Sequence, residues 1–221
     1  MIVPAMTIHE IRKEVLTDIA NLSAKLEQCR NDFKKMVLRA RHYPVSKSYD
    51  CRTKEKRNLF IAGFSAVKRK HWKNPILFIY AIYDRPDGKY AVCPSPTEDH
   101  ISIYPPHFFE RYQERILKDA SLSPEQIIRQ FFSHHWGLMG AVVDENFQTM
   151  YHDFEKADID DKVSFVAATA QGYCFGLRQK GVSIIKTIIS EEMVFEDQKP
   201  LFKRLRDAFV EDHKDTFGID L

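Results

Sequence analysis

Lys162-Val-Ser-Phe-Val-Ala-Ala-Thr169, Tyr173-Cys-Phe-Gly-Leu177 and Val182-Ser-Ile-Ile-Lys-Thr-Ile-Ile189 are three short runs rich in β-branched and aromatic residues. Gln171-Gly172 and Lys180-Gly181 separate them. Strand-forming runs joined by two-residue turns that end in glycine are the mark of an antiparallel meander. The same texture runs upstream. Asn58–Val67 and Ile76–Tyr83 read as strands, Arg85-Pro86-Asp87-Gly88 as a turn, and Lys89–Cys93 as the returning strand. His100-Ile-Ser-Ile-Tyr104 alternates and is stopped by Pro105-Pro106. In a strand of that register His100, Ser102 and Tyr104 share one face, with Ile101 and Ile103 on the other.

Helical signals flank the strands. Apolar residues at Ile8, Ile11, Val15, Ile19, Leu22, Leu26, Cys29, Phe33, Met36 and Ala40 fall at steps of three and four, which predicts a helix over residues 7–40. Thr7 and Glu10 fit a capping box at its start, and Pro44 marks its end. A second helix is expected over about 106–118. A third opens at Ser123-Pro124-Glu125-Gln126, again with capping-box spacing. A terminal helix is expected after Ser190, running in pieces to about 212. Residues 141–160 fit no single pattern. The expected class is α+β, a mostly antiparallel sheet with packed helices and a long amphipathic N-terminal helix. The expected division is a helical extension over 1–45 and a single α+β domain over 46–221. The heptad spacing of the N-terminal stripe also fits a homodimer through residues 8–40, and packing on the chain's own sheet is the alternative.

Composition narrows the class. The 221 residues are 44% apolar and 29% charged, ordinary globular usage. Eight glycines argue against a Gly-rich nucleotide-binding enzyme. The longest apolar run, Pro75–Tyr83, falls far short of the roughly 20 residues of a spanning helix. No signal peptide is visible at Met1–Met6, and no membrane association is expected. The four cysteines lack a C-x-x-C pair, so neither a disulfide framework nor a zinc site is expected and a cytoplasmic setting is. No metal or other cofactor is anticipated. His134-His135 would diverge by about 100° on a helix. His152-Asp153-x-Glu155 matches no established ligand spacing.

The net charge of +2 conceals an asymmetry. Residues 39–73 hold 11 Lys or Arg against 2 acids, whereas residues 74–221 hold 16 against 24. The basic segment is a footprint for RNA phosphates, with an acidic protein as the other partner class. Lys54, Lys56, Arg57, Lys68, Arg69, Lys70 and Lys73 are the expected nucleic-acid-binding residues. The plain alternative is a solvated loop and strand end.

One constellation suggests chemistry. His107, Arg111 and Arg115 stand at i, i+4 and i+8, one drifting helical face. Two arginines at that spacing repel, and a bound phosphate would relieve them. A Glu114 partner for Arg111 would instead make an ordinary charged face.

With the strand before it, the helix after it and the meander, this H-x-x-x-R-x-x-x-R helix resembles the small toxin ribonucleases of the RelE and BrnT kind, in the barnase–EndoU–colicin–RelE group. The resemblance covers about residues 100–190. It departs from that group in the hundred residues before the motif and in Phe108, where those toxins carry a small residue. It implies metal-independent RNA cleavage by 2′-OH transesterification. His107 or His100 would move protons, Arg111 and Arg115 would hold the phosphate, and Lys186 and Thr187 would complete the site. A non-catalytic nucleic-acid-binding or protein-interaction module is the other expectation.

Overall fold

The computed structural model describes residues 1–95, 99–142 and 162–217, with only the backbone given at 141–142 and 215–217. Helix α1 (Ile8–Ile19) begins at the Thr7–Glu10 capping box, in which Glu10 Oε2 accepts from the Thr7 amide at 2.7 Å. A short 3-10 turn (Ala20–Leu22) joins it to α2 (Ser23–Arg39), so the long helix is continuous in direction but pinched in the middle. The strands are β1 (Val45–Arg52), β2 (Leu59–Ala66), β3 (Ile76–Arg85), β4 (Gly88–Pro94) and β5 (Ile101–Tyr104). Helix α3 (Pro106–Tyr112) and α4 (Pro124–Ser133) follow. Then come β6 (Met139–Val142), β7 (Val163–Thr169), β8 (Gly172–Gln179), β9 (Val182–Ile189) and α5 (Lys199–Phe217).

Among the described residues nine strands form one sheet in the order β1-β2-β3-β4-β5-β9-β8-β7-β6. Two antiparallel blocks, β1–β5 and β6–β9, are fused by a parallel pair, β5 with β9, over Ile101↔Val182 to Ile103↔Ile184. The fold is therefore α+β, as the strand and helix signals require. Sequence periodicity carried neither β1, whose middle is mostly exposed, nor the four-residue β6.

Alternation along each strand divides the apolar residues between two faces. On one face Phe60, Ala62, Phe64, Ala81, Val92, Ile101 and Ile103 pack under α1 and α2. Ile11, Val15, Leu22, Cys29, Phe33 and Val37 supply the helical side, each 4% exposed or less. Burying each of the larger of these side chains contributes about 1.5–3 kcal/mol. Most of the stripe that would seat a second copy is thus spent on the chain's own sheet, and residues 8–40 belong to the same core as β1–β3. At the far end of that face, Val166, Ala168 and Tyr173 pack under Phe202, Leu205 and Phe209 of α5. The opposite face carries α3 and α4, whose Phe108, Tyr112, Ile128 and Phe131 cover Ile61, Tyr80, Tyr104, Phe165 and Cys174.

Candidate nucleic-acid interface

The seven expected basic contacts fall at opposite ends of β2. Lys54, Lys56 and Arg57 lie in the β1–β2 loop. Lys68, Arg69, Lys70 and Lys73 lie in the β2–β3 connection. Eight strand residues separate the two, roughly 25 Å at the strand rise.

The β1–β2 loop is built into the fold. Asp18 of α1 is fully buried, and its Oδ2 accepts from the Thr53 hydroxyl and the Asn58 side-chain amide, both at 2.7 Å. Asn58 also donates to Glu14 at 3.1 Å, and its own carbonyl accepts from the Ile2 amide at 2.7 Å. Lys56 donates to Glu14 Oε2 at 2.7 Å. Burial raises the Glu14 pKa, but hydrogen bonds from Lys56, the Met1 amino group and Asn58 outweigh it, leaving the pKa lowered to about 2. Lys56 is thus committed to a carboxylate inside its own chain.

The β2–β3 connection is different. Lys68, Arg69, Lys70 and Lys73 are exposed around a short 3-10 turn, Arg69–Trp72. The half-buried Trp72 packs against the first core, and Lys34 of α2 sits 4.2 Å from its ring centroid, with Lys73 at 5.8 Å. The C-terminal end of α2 and the start of β1 meet the same end of the sheet, because Val45 pairs with Ala66. Residues 33–49 and 66–75 contain nine Lys or Arg and no Asp or Glu. From α2, Asp32 accepts from Lys47 at 2.9 Å and from Tyr49 at 2.7 Å near this end. Burial, then Lys70 and Lys68, lowers the His71 pKa.

Among the described residues the His107 helix lines none of the concavities. His107 is exposed at the second position of α3. Arg111 pairs with Glu114 at 2.8 Å on the exposed surface, the ordinary charged face that the sequence also allowed. Beyond Tyr112 the helix does not continue as α: residues Gln113–Leu117 form a π-turn, ended by Lys118 at φ 54°. The wider turn takes Arg115 off the i, i+4 face. Arg115 Nη1 donates to Thr187 Oγ1 at 3.0 Å and to the Ile188 carbonyl at 2.9 Å, past the end of the β5–β9 ladder. The expected meeting of this helix with Thr187 is present, and it ties Arg115 to a strand carbonyl. Lys186, the residue bulged out where β9 shifts register against β8, is exposed.

His100 lies at the other end of β5 from His107, four strand residues away. It is 2% exposed on the face it shares with Ser102 and Tyr104. Burial first, then Arg178 and Arg12, pushes its pKa down to about 3. The fold therefore does not bring His100 together with His107.

Of the paired histidines, His134 is exposed and His135 is 3% exposed. Among the described residues no group of three or more His, Cys, Asp or Glu could hold a metal. His152, Asp153 and Glu155 lie outside the described residues, as does the acidic run 158–161. Among the described residues no helix is long and apolar enough to cross a membrane. Among the described residues three concavities lie away from α3. One, about 970 Å³, is lined by Tyr173, Glu191, Glu192, Phe202, Arg206 and Asp207, among others. A second, about 770 Å³, runs along the α2–β1 seam beside Lys25, Asp50 and Lys54. The third, about 130 Å³, lies beside His135. No family model matches this chain, and no curated protein or solved structure matches it.

Proposed function

We propose that this protein is a nucleic-acid-binding module of the cytoplasm that engages phosphate backbones through the cationic β2–β3 end of its sheet. One observation carries the reading: the β2–β3 connection presents Lys68, Arg69, Lys70 and Lys73 around Trp72, beside the cationic end of α2, with no acid in residues 33–49 or 66–75. Lysine and arginine clusters neutralise phosphates and release counterions, and interleaved aromatic rings add stacking. An exposed run of this kind costs the folded state through self-repulsion, which an acidic partner offsets.

The test is binding of a fluorescein-labelled single-stranded oligonucleotide by anisotropy across a salt series. The variant Lys68→Ala/Arg69→Ala/Lys70→Ala is expected to lose about 100-fold at roughly 0.1 M salt, since each single-strand phosphate contact carries a slope of about 0.7 in log K against log salt. Salt-independent binding, or an unchanged slope in the variant, overturns the reading.

A metal-independent ribonuclease-like activity is the second reading, supported by the approach of Arg115 to Thr187 beside an exposed His107. Arg111, held by Glu114, would have to exchange that carboxylate for a phosphate. Incubation with total RNA in EDTA decides it. Loss of cleavage in His107→Ala supports catalysis, and identical traces for protein, variant and buffer remove it.

A further inference from the structure

The 130 Å³ cleft stands at the same end of the sheet as the cationic connection. Its strand walls are Ser46, Ser48, Gly63, Ser65 and Phe78, and its helical wall comes from the end of α4 with Phe132, His135 and Trp136. Ser65↔Ile76 is the last register pair before the β2–β3 connection, so Lys68 and Lys73 leave the strands within three residues of the cleft. Lys47 also lines it.

Its chemistry is mixed in a way that core seams are not. Gly63 contributes no side chain, and a Cβ placed there would meet only Ser48 Oγ at 3.7 Å and the Phe78 carbonyl at 3.8 Å. Three serines from two strands surround that gap, two of them hydrogen-bonded to each other at 2.7 Å. Phe78 and Phe132 stack at 5.7 Å, and His135 meets Phe78 edge-on at 4.6 Å. His135 is 3% exposed, and its Nδ1 is buried with no hydrogen-bond partner. Burial, with His213 in the same direction, pushes its pKa down to about 3, so the ring is neutral and keeps one nitrogen as an acceptor. His135 thus brings a neutral imidazole to the wall of the cleft. A cavity of about 150 Å³ takes one benzene ring, which sets the size of the occupant at a single six-membered ring.

We propose that this cleft receives one pyrimidine base of a single-stranded nucleic acid whose phosphates lie on the β2–β3 connection. The inference rests on the phosphate-binding reading above and adds base recognition to it. Aromatic walls supply ring contacts, while Ser46, Ser48 and Ser65 can donate to or accept from the exocyclic oxygens and ring N–H, with His135 as a further acceptor. Duplexes hide these edges, so the ligand is single-stranded.

Three oligomers of equal phosphate count separate the two layers: oligothymidylate, oligodeoxyadenylate and an abasic phosphodiester. The full chain is expected to bind oligothymidylate about tenfold tighter than the abasic oligomer, the increment of one well-stacked base, and oligodeoxyadenylate no better than the abasic one. Gly63→Val fills the gap and should bring the thymidylate-to-abasic ratio to about one while leaving abasic affinity unchanged. Ser48→Ala, on the exposed edge strand, removes one hydroxyl without filling space and should lower the ratio severalfold, which guards against a folding failure in Gly63→Val. Equal affinities in the unaltered protein, or a preference undiminished in both variants, overturn the cleft and leave the cationic end standing. No binding of any oligomer overturns both.

Discussion

The two ends of β2 carry basic segments of similar composition and opposite use. At one end Lys56 is spent on Glu14, and Thr53 and Asn58 on the buried Asp18. At the other, Lys68, Arg69, Lys70 and Lys73 are exposed in a stretch without acids. Positive charge therefore has no fixed meaning in a sequence. Its meaning is set by whether a carboxylate from another element arrives at the same place. Helix α1 brings Glu14 and Asp18 to the first loop; α2 brings Lys34 to the second. A lysine paired with a buried-side carboxylate stabilises the fold, and an exposed cluster of like charges attracts a polyanion.

The largest effect should come from breaking the committed end. Asp18→Ala strands the Thr53 hydroxyl and the Asn58 amide in a buried site, at a cost of about 1–3 kcal/mol for each group left unpaired. Urea unfolding should show a loss of about 3 kcal/mol, while the folded fraction binds oligonucleotide as before. A small stability change would place the loop outside the cooperative fold. Next in size is the comparison of binding variants. Lys54→Ala/Arg57→Ala should change oligonucleotide affinity less than about twofold, against the large loss expected for the Lys68, Arg69 and Lys70 variant. Equal losses would erase the difference between the two ends.

The smallest effect concerns pH. The Glu14 pKa is lowered in the folded state, so its contribution is complete above the unfolded value near 4.5 and is lost as pH falls towards 2. Lys56→Met removes one cause of that lowering. The variant should lose less stability between about pH 5 and pH 3 than the unaltered protein, read from urea midpoints. Lys70 is exposed in the β2–β3 connection, away from Glu14, and Lys70→Met should leave the acid limb of the profile unchanged. A parallel acid limb in all three proteins would show that Glu14 is not held by Lys56 in solution.

Much of the fold was legible. Capping boxes at Thr7–Glu10 and Ser123–Gln126 placed two helix starts, and glycine turns at Gly88, Gly172 and Gly181 placed three hairpins. These signals are local: a side chain reaching an amide three residues away, or a backbone at positive φ. The alternation that put His100 and Ser102 opposite Ile101 and Ile103 was equally local. The candidate site was legible only in part. The approach of Arg115 to Thr187 followed from a helix lying on a late strand, but the π-turn that redirected Arg115 had no sequence signal. In the sequence His135 drew notice only as half of a diverging histidine pair, because the serines that share a cleft with it lie on β1 and β2, some seventy to ninety residues earlier.

The sequence by itself determined most of the elements, most of the apolar helical stripe and the excess of charge in residues 39–73, since each depends on neighbours within a turn or a strand. The tertiary structure alone decided that two antiparallel blocks fuse through the parallel β5–β9 pair, and which cations are neutralised. It also decided that Arg111 pairs with Glu114 and Arg115 with Thr187 rather than both facing one site with His107. The physical reason is range: hydrogen-bonded caps and side-chain periodicity act within a few residues, whereas ion pairing and burial depend on which distant segments the packed sheet brings together.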